Sequence, residues 1–307
     1  MNESIDDESL RDASEALRGH PRVHGSRAEF ADRLPKRIVS LVPSLSEALV
    51  VLGLGDRLVG VTEYCVHPAG AFDGLPKLGG TKDADVEGIV RVEPDLVIAN
   101  QEENTVRVVR KLAEQDIDVW VTYPRTVRDG AELLVELASL GATAEAKEQC
   151  LGPVLEALAW AEGNRATQLA SGSPRPKVFC PIWRDPWMTI NGDTYIHDMI
   201  ELCGGENLFG APEGPGGEEQ SGGREQSGDR RYPIVELDFV LAAQPDVILL
   251  PDEPYAFDES DKKRLSRTDT PAARAGRIHL IDGTLVSWYG PRIAEAIRAL
   301  AAIFANV

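Results

Sequence analysis

The sequence is poor in the features that mark several common classes of protein. Its four cysteines include no C-x-x-C pair, which argues against a structural zinc site. Lysine and arginine number 32 against 50 aspartate and glutamate, so the net charge is -18. This excess of negative charge repels nucleic-acid phosphates and anionic lipids. We therefore expect reduced, mostly buried thiols and neither a nucleic-acid partner nor a membrane-surface partner.

Enzyme and export motifs are also missing. There is no G-x-S-x-G elbow, Walker loop, H-E-x-x-H helix or G-x-G-x-x-G that opens a helix after a strand. The acidic start, MNESIDDESLRDASEALRGH, has no apolar signal-peptide core, and no cysteine of a lipoprotein anchor precedes Cys65. These absences give no sign of an enzyme, and they predict a protein in the cytoplasm for the sequence as it stands, or an extracytoplasmic one if the true start lies upstream.

One pattern occurs twice, in residues 86–99 and 235–250. In each copy an acidic residue, Glu87 or Asp238, stands seven positions before a Pro-Asp pair, and a run of branched apolar residues follows. The acid suits the start of a short helix, the proline stops that helix, and the apolar run predicts a buried strand of a parallel sheet. Either the pattern marks two similar α/β lobes, or it is a chance match of a common helix-to-strand joint.

Strands and helices alternate along the rest of the chain, which predicts an α/β fold with two parallel-sheet lobes. Ser44 and Glu47 predict a capping box at the start of one helix. Leu151, Val154, Leu155 and Leu158 form the apolar stripe of a long helix that Pro153 should kink or restart. The expected organisation is a flexible acidic arm over 1–36, lobe 1 over 37–143, a bridging helix over 144–170, and lobe 2 over 171–307 with a flexible low-complexity insertion over 210–231.

Aromatic residues gather in the loops that follow strands. The cleft between two α/β lobes is lined by such loops, so these rings predict a wide, flat and mostly apolar ligand. The alternative is that tryptophan and tyrosine pack at the lobe surfaces, as they do in many proteins. The candidates are Tyr64, Trp183, Trp187, Tyr232, Trp288 and Tyr289.

Polar side chains in the same loops extend this hypothesis. His67 is a candidate axial ligand to a metal centre that the bound molecule carries, or else a structural hydrogen-bonding group. No residue is expected to bind a metal ion directly. Arg184 and Arg292 are candidates to pair with carboxylate or amide groups of a ligand, or are simply solvated.

Five stretches of the sequence resemble a family of transport proteins: RIVSLVPSLSEALVVLGLGDRLVGVTEYCVHP, LGGTKDADVEGIVRVEPDLVIA, INGDTYIHDMIELCGGENLF, VELDFVLAAQPDVILL and YGPRIAEAI. They are similar to the solute-binding proteins of ABC importers for cobalamin, haem and ferric siderophores, the helical-backbone metal receptors, and most of all to the cobalamin branch. The resemblance implies a periplasmic-binding-protein-like fold of class III type, in which one long helix joins two lobes. It implies a corrinoid or ferric chelate as ligand, with no intrinsic cofactor.

The resemblance also assigns roles to residues. Tyr64 matches the tyrosine that contacts the corrin, and Trp187 matches an aromatic residue of the second lobe. Glu87 and Asp238 match the acids that dock each lobe on an ABC permease. We therefore expect a monomeric, non-catalytic solute-binding protein that delivers a corrinoid or other metal chelate to an importer. The alternative is a cytoplasmic accessory protein that binds a corrinoid or tetrapyrrole, or a chelatase-like enzyme.

Overall fold

The computed structural model of the chain describes residue 17 and residues 19–30, 32–210 and 231–307. These residues divide into two compact units, each with its own sheet and core. The bounds differ from the predicted lobes 37–143 and 171–307, because the chain passes between the units more than once. Unit 1 comprises the chain up to Pro124, Ala131–Gly152 and Tyr289–Pro291, and unit 2 comprises Arg125–Gly130, Pro153–Trp288 and Arg292–Val307.

Unit 1 is built on a parallel sheet. Its strands within the described residues are β1 Val23–His24, β2 Ile38–Ser40, β3 Leu58–Val61, β4 Leu96–Asn100 and β5 Val119–Thr122. They are ordered β1-β5-β4-β2-β3, and every pair is parallel. Strands β2, β4 and β5 are buried along their whole length, as their branched apolar residues predict. The carboxyl ends of all the strands therefore lie at one edge of the sheet.

Helices cover this sheet and connect its strands. Helix α1, Pro43–Val51, begins at Pro43 without a side-chain cap, so the predicted capping box at Ser44 is wrong. Proline is favoured at the first helical position, so Pro43 starts α1 and Ser44 lies inside the helix. Helix α2, Val86–Arg91, follows Asp85, whose side chain accepts a hydrogen bond of 2.9 Å from the backbone N–H of Gly88. The helices that lie partly or wholly in unit 1 are α1 Pro43–Val51, α2 Val86–Arg91, α3 Val106–Glu114, α4 Val127–Ala138 and α5 Ala144–Ser171.

The long helix predicted over 144–170 is present as α5, and it continues through Pro153 as one helix. Its buried face includes Val154 and Leu158, as the apolar stripe predicts, whereas Leu155 is 46% exposed. The helix is 28 residues long, which corresponds to about 42 Å at a rise of 1.5 Å per residue.

The amino-terminal segment is not an exposed arm where the structure describes it. Strand β1 pairs with β5, and the side chains of Leu17, His24 and Phe30 are buried. The Phe30 ring packs edge-on against Trp120 at a centroid distance of 5.6 Å. His24 Nε2 lies 2.8 Å from Asp118 Oδ1. The predicted arm over 1–36 is therefore wrong for this segment, and residues 1–16 lie outside the described part of the chain.

Asp118 gives unit 1 a stability that depends on pH. Burial by itself would raise the pKa of this carboxyl, but hydrogen bonds from His24 and Arg33 and the charges of Arg33 and Arg22 lower the pKa below its usual value. Such a group stabilises the folded state above the unfolded-state pKa of about 3.9, and the stabilisation is lost as the pH falls through the folded pKa. We expect Asp118→Asn to lower the unfolding free energy by about 1.5 to 3 kcal/mol at pH 7.

Urea unfolding of the wild type and of Asp118→Asn at pH 7 and pH 3 measures this effect. The difference between the two proteins should shrink at pH 3, because this pH is below the unfolded-state pKa of about 3.9 and the unfolded wild-type chain then takes up the proton first. An unchanged difference would contradict the assigned role of the Asp118 charge.

Unit 2 repeats the arrangement with a second parallel sheet. Its strands are β6 Lys177–Phe179, β7 Glu206–Asn207, β8 Val247–Pro251 and β9 Ile278–Ile281, in the order β7-β6-β8-β9. Strands β4 and β8 are the apolar runs of the repeated pattern, and both are fully buried. Among the described residues outside these strands, Met188 makes isolated bridges to Trp183 and Ile234.

The helices of unit 2 include that of the second copy of the repeated pattern, in which α7, Leu237–Ala242, precedes β8. None of the described helices is both long and apolar enough to cross a membrane. The insertion predicted over 210–231 lies outside the described residues except for Gly210 and Arg231. The remaining helices are α6 Tyr195–Leu202, α7 Leu237–Ala242, α8 Glu259–Leu265, α9 Pro271–Arg274, α10 Thr284–Ser287 and α11 Ile293–Phe304.

Candidate functional site

In unit 1, the loop after β3 presents Tyr64 at the carboxyl edge of the sheet. Buried contacts of Cys65 anchor the loop: the Cys65 Sγ lies 3.2 Å from both Thr62 Oγ1 and Ser46 Oγ. The Lys77 ammonium donates a 3.1 Å hydrogen bond to the Cys65 carbonyl oxygen. This buried network fixes the backbone and leaves the Tyr64 side chain 60% exposed. The loop is thus a firm support for an exposed aromatic ring.

The Tyr64 ring packs beside the turn at Gly79 and Gly80. A β-carbon at Gly80 would lie 3.4 Å from Tyr64 Cε2 and would also collide with the Asp83 carboxylate. Gly79 has a φ of +82°, which favours glycine because a side chain is strained there. His67 is exposed in the same loop as Tyr64. Its predicted role as an axial ligand stays a prediction.

Tyr289 belongs to unit 1 and is almost completely buried, at 5% exposure. Its hydroxyl donates a 3.3 Å hydrogen bond to Glu103 Oε1. Burial, together with the charges of Glu103 and Glu102, raises the pKa of Tyr289 well above its usual value. The phenol is therefore a neutral donor at physiological pH, and its predicted contact with a ligand stays a prediction.

In unit 2, Trp183 follows β6 and is 43% exposed. Its ring meets Tyr255 edge-on, at a centroid distance of 5.4 Å and an interplanar angle of 70°. The Arg184 guanidinium lies 5.5 Å from the Tyr255 ring centroid and forms an ion pair with the buried carboxylate of Asp261. Tyr255 is not among the residues that the sequence predicts for the site. Its position in the loop after β8 could have identified it, because Tyr64 and Trp183 also lie in loops that follow strands.

Trp187 lies in the core of unit 2 and is only 7% exposed. Its ring stacks on Phe257 at 5.9 Å with an interplanar angle of 15°, and Phe179 lies 6.3 Å away. The Arg264 guanidinium lies 6.0 Å from the same ring. Trp187 therefore supports the Trp183 loop from inside, and its predicted contact with a ligand is not tested by this packing.

Trp288 and Arg292 lie near the carboxyl end of β9. The Arg292 guanidinium is 5.2 Å from the Trp288 ring centroid, and its Nη1 donates a 2.9 Å hydrogen bond to Thr284 Oγ1. Arg292 Nη1 also lies 3.7 Å from Asp282 Oδ2. Trp288 is 9% exposed. These contacts, all within unit 2, hold the Arg292 guanidinium over the Trp288 ring.

Glu253 joins the loop after β8 to the Trp288 segment. Its Oε1 accepts a 2.9 Å hydrogen bond from Ser287 Oγ, and the Trp288 indole N–H also donates to the carboxylate. Burial, and then the nearby charges of Asp252 and Asp282, raise the pKa of Glu253. The two loops approach so closely that a β-carbon at Gly283 would lie 2.8 Å from the Glu253 backbone nitrogen.

Three other predicted residues lie elsewhere in the units. Tyr232 is half-buried, and its ring lies 5.9 Å from the Arg231 guanidinium. Glu87 and Asp238 are both exposed, each in the first turn of its helix, α2 or α7. Beside Glu87 is a surface groove of about 490 Å³, lined by residues of α2 and α3.

Each unit has a sheet of parallel strands, with aromatic residues in the loops at its carboxyl edge. This arrangement defines the class to which the chain belongs. Residues 38–284 match the family described as periplasmic binding protein. The chain therefore belongs to the periplasmic binding protein family, and the resemblance found in the sequence is confirmed.

Comparison with individual proteins agrees with this assignment. The chain is 25% identical over 263 residues to a vitamin B12-binding protein of Vibrio cholerae serotype O1, covering 86% of this chain and 87% of that protein. It resembles the crystal structure of the periplasmic vitamin B12 binding protein of Vibrio cholerae with a TM-score of 0.72 and 22% identity, covering 89% of this chain and 98% of the other. A periplasmic haem-binding protein of Pseudomonas aeruginosa gives a TM-score of 0.70 and 22% identity, with 89% and 94% covered. These likenesses confirm the α/β fold with two parallel sheets.

Proposed function

We propose that the protein is a solute-binding protein that binds a corrinoid, or a metal chelate of similar shape, and delivers it to an ABC importer. The observation that carries this proposal is the pair of exposed rings, Tyr64 and Trp183, each at the carboxyl edge of a parallel sheet on a loop fixed from inside. Aromatic faces suit a broad macrocycle, because they bury large apolar areas without many hydrogen bonds. The vitamin B12-binding and haem-binding relatives support the same ligand class.

Titration of the purified protein with hydroxocobalamin, haemin and a ferric siderophore tests the proposal. We expect one equivalent of unchanged ligand to bind, with a shift in its visible absorbance. Metal insertion or removal during the titration would instead favour the chelatase-like alternative. Failure of every ligand to bind would contradict the proposal.

Replacement of the exposed rings should weaken binding without unfolding the protein. We expect Tyr64→Ala and Trp183→Ala each to cost about 1 to 4 kcal/mol of binding free energy, because each removes a large aromatic contact. Trp160→Ala is a matched control, since Trp160 is 52% exposed on α5. Calorimetric titration measures the losses. Wild-type affinity in both test variants, or an equal loss in the control, would contradict the assigned contacts.

Delivery to an importer requires the protein to lie outside the cytoplasmic membrane. We propose this location because the family and the structural relatives are described as periplasmic. Cell fractionation with an antibody against the protein tests it. Recovery of the protein only from the cytoplasm would favour the alternative of an accessory protein that binds a corrinoid or tetrapyrrole inside the cell.

A further inference from the structure

We infer that the site selects its ligand by charge: it takes a metal chelate with amide groups at its periphery and excludes one with carboxylates there. The inference rests on the proposed chelate-binding function. It concerns the charged groups beside the exposed rings of each unit. The described residues that flank these rings include the carboxylates of Glu63, Asp83, Asp252 and Glu253, and the cations named below already have partners.

The arginines of unit 2 are the first part of the argument. Arg184 pairs with the buried carboxylate of Asp261, and its Nε lies 3.3 Å from Asp185 Oδ2. Arg292 donates to Thr284 Oγ1 and lies 3.7 Å from Asp282 Oδ2. A ligand carboxylate would have to compete with carboxylates that the fold holds in place. Such an arginine offers little net positive charge to an anionic ligand.

The loop after β8 adds further negative charge in unit 2. Asp252 is exposed and Glu253 is half-buried, and they lie three and two residues before Tyr255 in the chain. Asp252 Oδ1 accepts a 2.7 Å hydrogen bond from the Gly283 N–H. This bond and those to Glu253 hold both carboxylates near the Trp288 segment. They are acceptors, which suit amide N–H groups and repel carboxylates.

In unit 1, carboxylates also lie beside the exposed ring. The exposed carboxylate of Glu63 is next to Tyr64 in the chain, and Asp83 and the Tyr64 ring flank Gly80. The Lys82 ammonium donates to the backbone carbonyl oxygen of Glu102. Burial lowers the pKa of Lys82, while the charges of Glu103 and Glu102 act in the opposite direction. The lysine is therefore engaged with this acidic segment.

A matched pair of corrinoids separates charge from shape. Dicyanocobinamide and dicyanocobyrinic acid share the corrin ring and the axial cyanides, but the side chains of the first end in amides and those of the second in carboxylates. We expect cobinamide to bind about 100-fold more tightly at low salt, because like charges placed together across an interface cost several kcal/mol. Isothermal titration of the full-length protein with each compound, at 20 mM and 500 mM NaCl, measures the ratio.

Two further readouts assign the effect to the charges. High salt should reduce the ratio, because it screens exposed carboxylates and leaves ring stacking unchanged. The double variant Asp252→Asn and Glu253→Gln retains acceptor oxygens for Gly283 and Ser287 and removes two charges. It should reduce the ratio to about tenfold or less. Glu145→Gln, a change of an exposed acid in the first turn of α5, is the control and should leave the ratio unchanged.

The outcomes separate this inference from the proposed function. Equal binding of the two corrinoids, or a ratio that neither salt nor the double variant alters, overturns charge selection and leaves chelate binding intact. Binding of haemin, which has two carboxylates, in preference to cobinamide also overturns it. If no corrinoid, haem or ferric siderophore binds, both the inference and the proposed function fail.

Discussion

Replacing both Glu87 and Asp238 by lysine is expected to abolish uptake of the ligand while leaving its binding unchanged. Both carboxylates are exposed in the first turn of a helix, one in each unit. Exposed charges of this kind orient one protein on another more than they hold a small ligand. A permease that carries cations opposite these acids would be repelled by the double variant. Uptake of labelled cobalamin, in a strain that depends on this protein and its permease, measures the effect.

A matched double variant controls for helix stability. Glu145 and Glu259 are also exposed acids in the first turn of a helix, one in each unit. Their replacement by lysine should cost each helix about 0.3 to 1 kcal/mol, as at Glu87 and Asp238, but should preserve uptake. Normal uptake by the Glu87 and Asp238 double variant would contradict a docking role and would mean that these two acids only stabilise their own helices.

Trp187→Ala is expected to have the largest effect on stability, about 3 to 5 kcal/mol of unfolding free energy. The ring is buried against Phe257 and Phe179, so its removal leaves a cavity in the core of unit 2. Trp183→Ala, four residues earlier in the same segment, is the natural control because Trp183 is 43% exposed. It should cost less than about 1 kcal/mol of stability.

Urea unfolding followed by far-ultraviolet circular dichroism compares the two tryptophan variants. A loss in Trp183→Ala as large as that in Trp187→Ala would show that exposure does not separate the two roles. Near-ultraviolet circular dichroism then reports whether the aromatic packing of unit 2 survives in each variant.

The repeated pattern made much of the fold predictable. In both copies a proline stops a short helix and a run of branched residues enters a buried strand, so the local sequence alone determines the joint. The parallel sheets, the long helix α5 and the buried cysteines followed from similar local signals, and they are confirmed. Tyr64 and Trp183 were found because residues that follow buried strands lie at the carboxyl edge of the sheet.

Distant contacts explain what the sequence did not reveal. Strand β1 is two residues long and pairs with β5, almost a hundred residues later, so no periodicity marks it. Trp187 is buried because Phe257, 70 residues later, covers its ring. Nothing near Trp187 in the sequence distinguishes it from the exposed Trp183. The arginines were recognised as candidate ligand contacts, but their ion pairs depend on Asp261 in α8 and on Asp282 after β9.

The pairing of β1 with β5 decides where a shortened version of the protein can begin. The family match starts at residue 38, and a fragment cut there would lose β1, His24 and Phe30. The backbone hydrogen-bonding groups of β5 that pair with β1 would then be exposed and could pair with strands of other molecules. The Trp120 ring would lose its contact with Phe30, and Asp118 would lose its partners Arg22, His24 and Arg33. Expression from residue 17 onward should therefore give monomeric protein where expression from residue 38 gives aggregates.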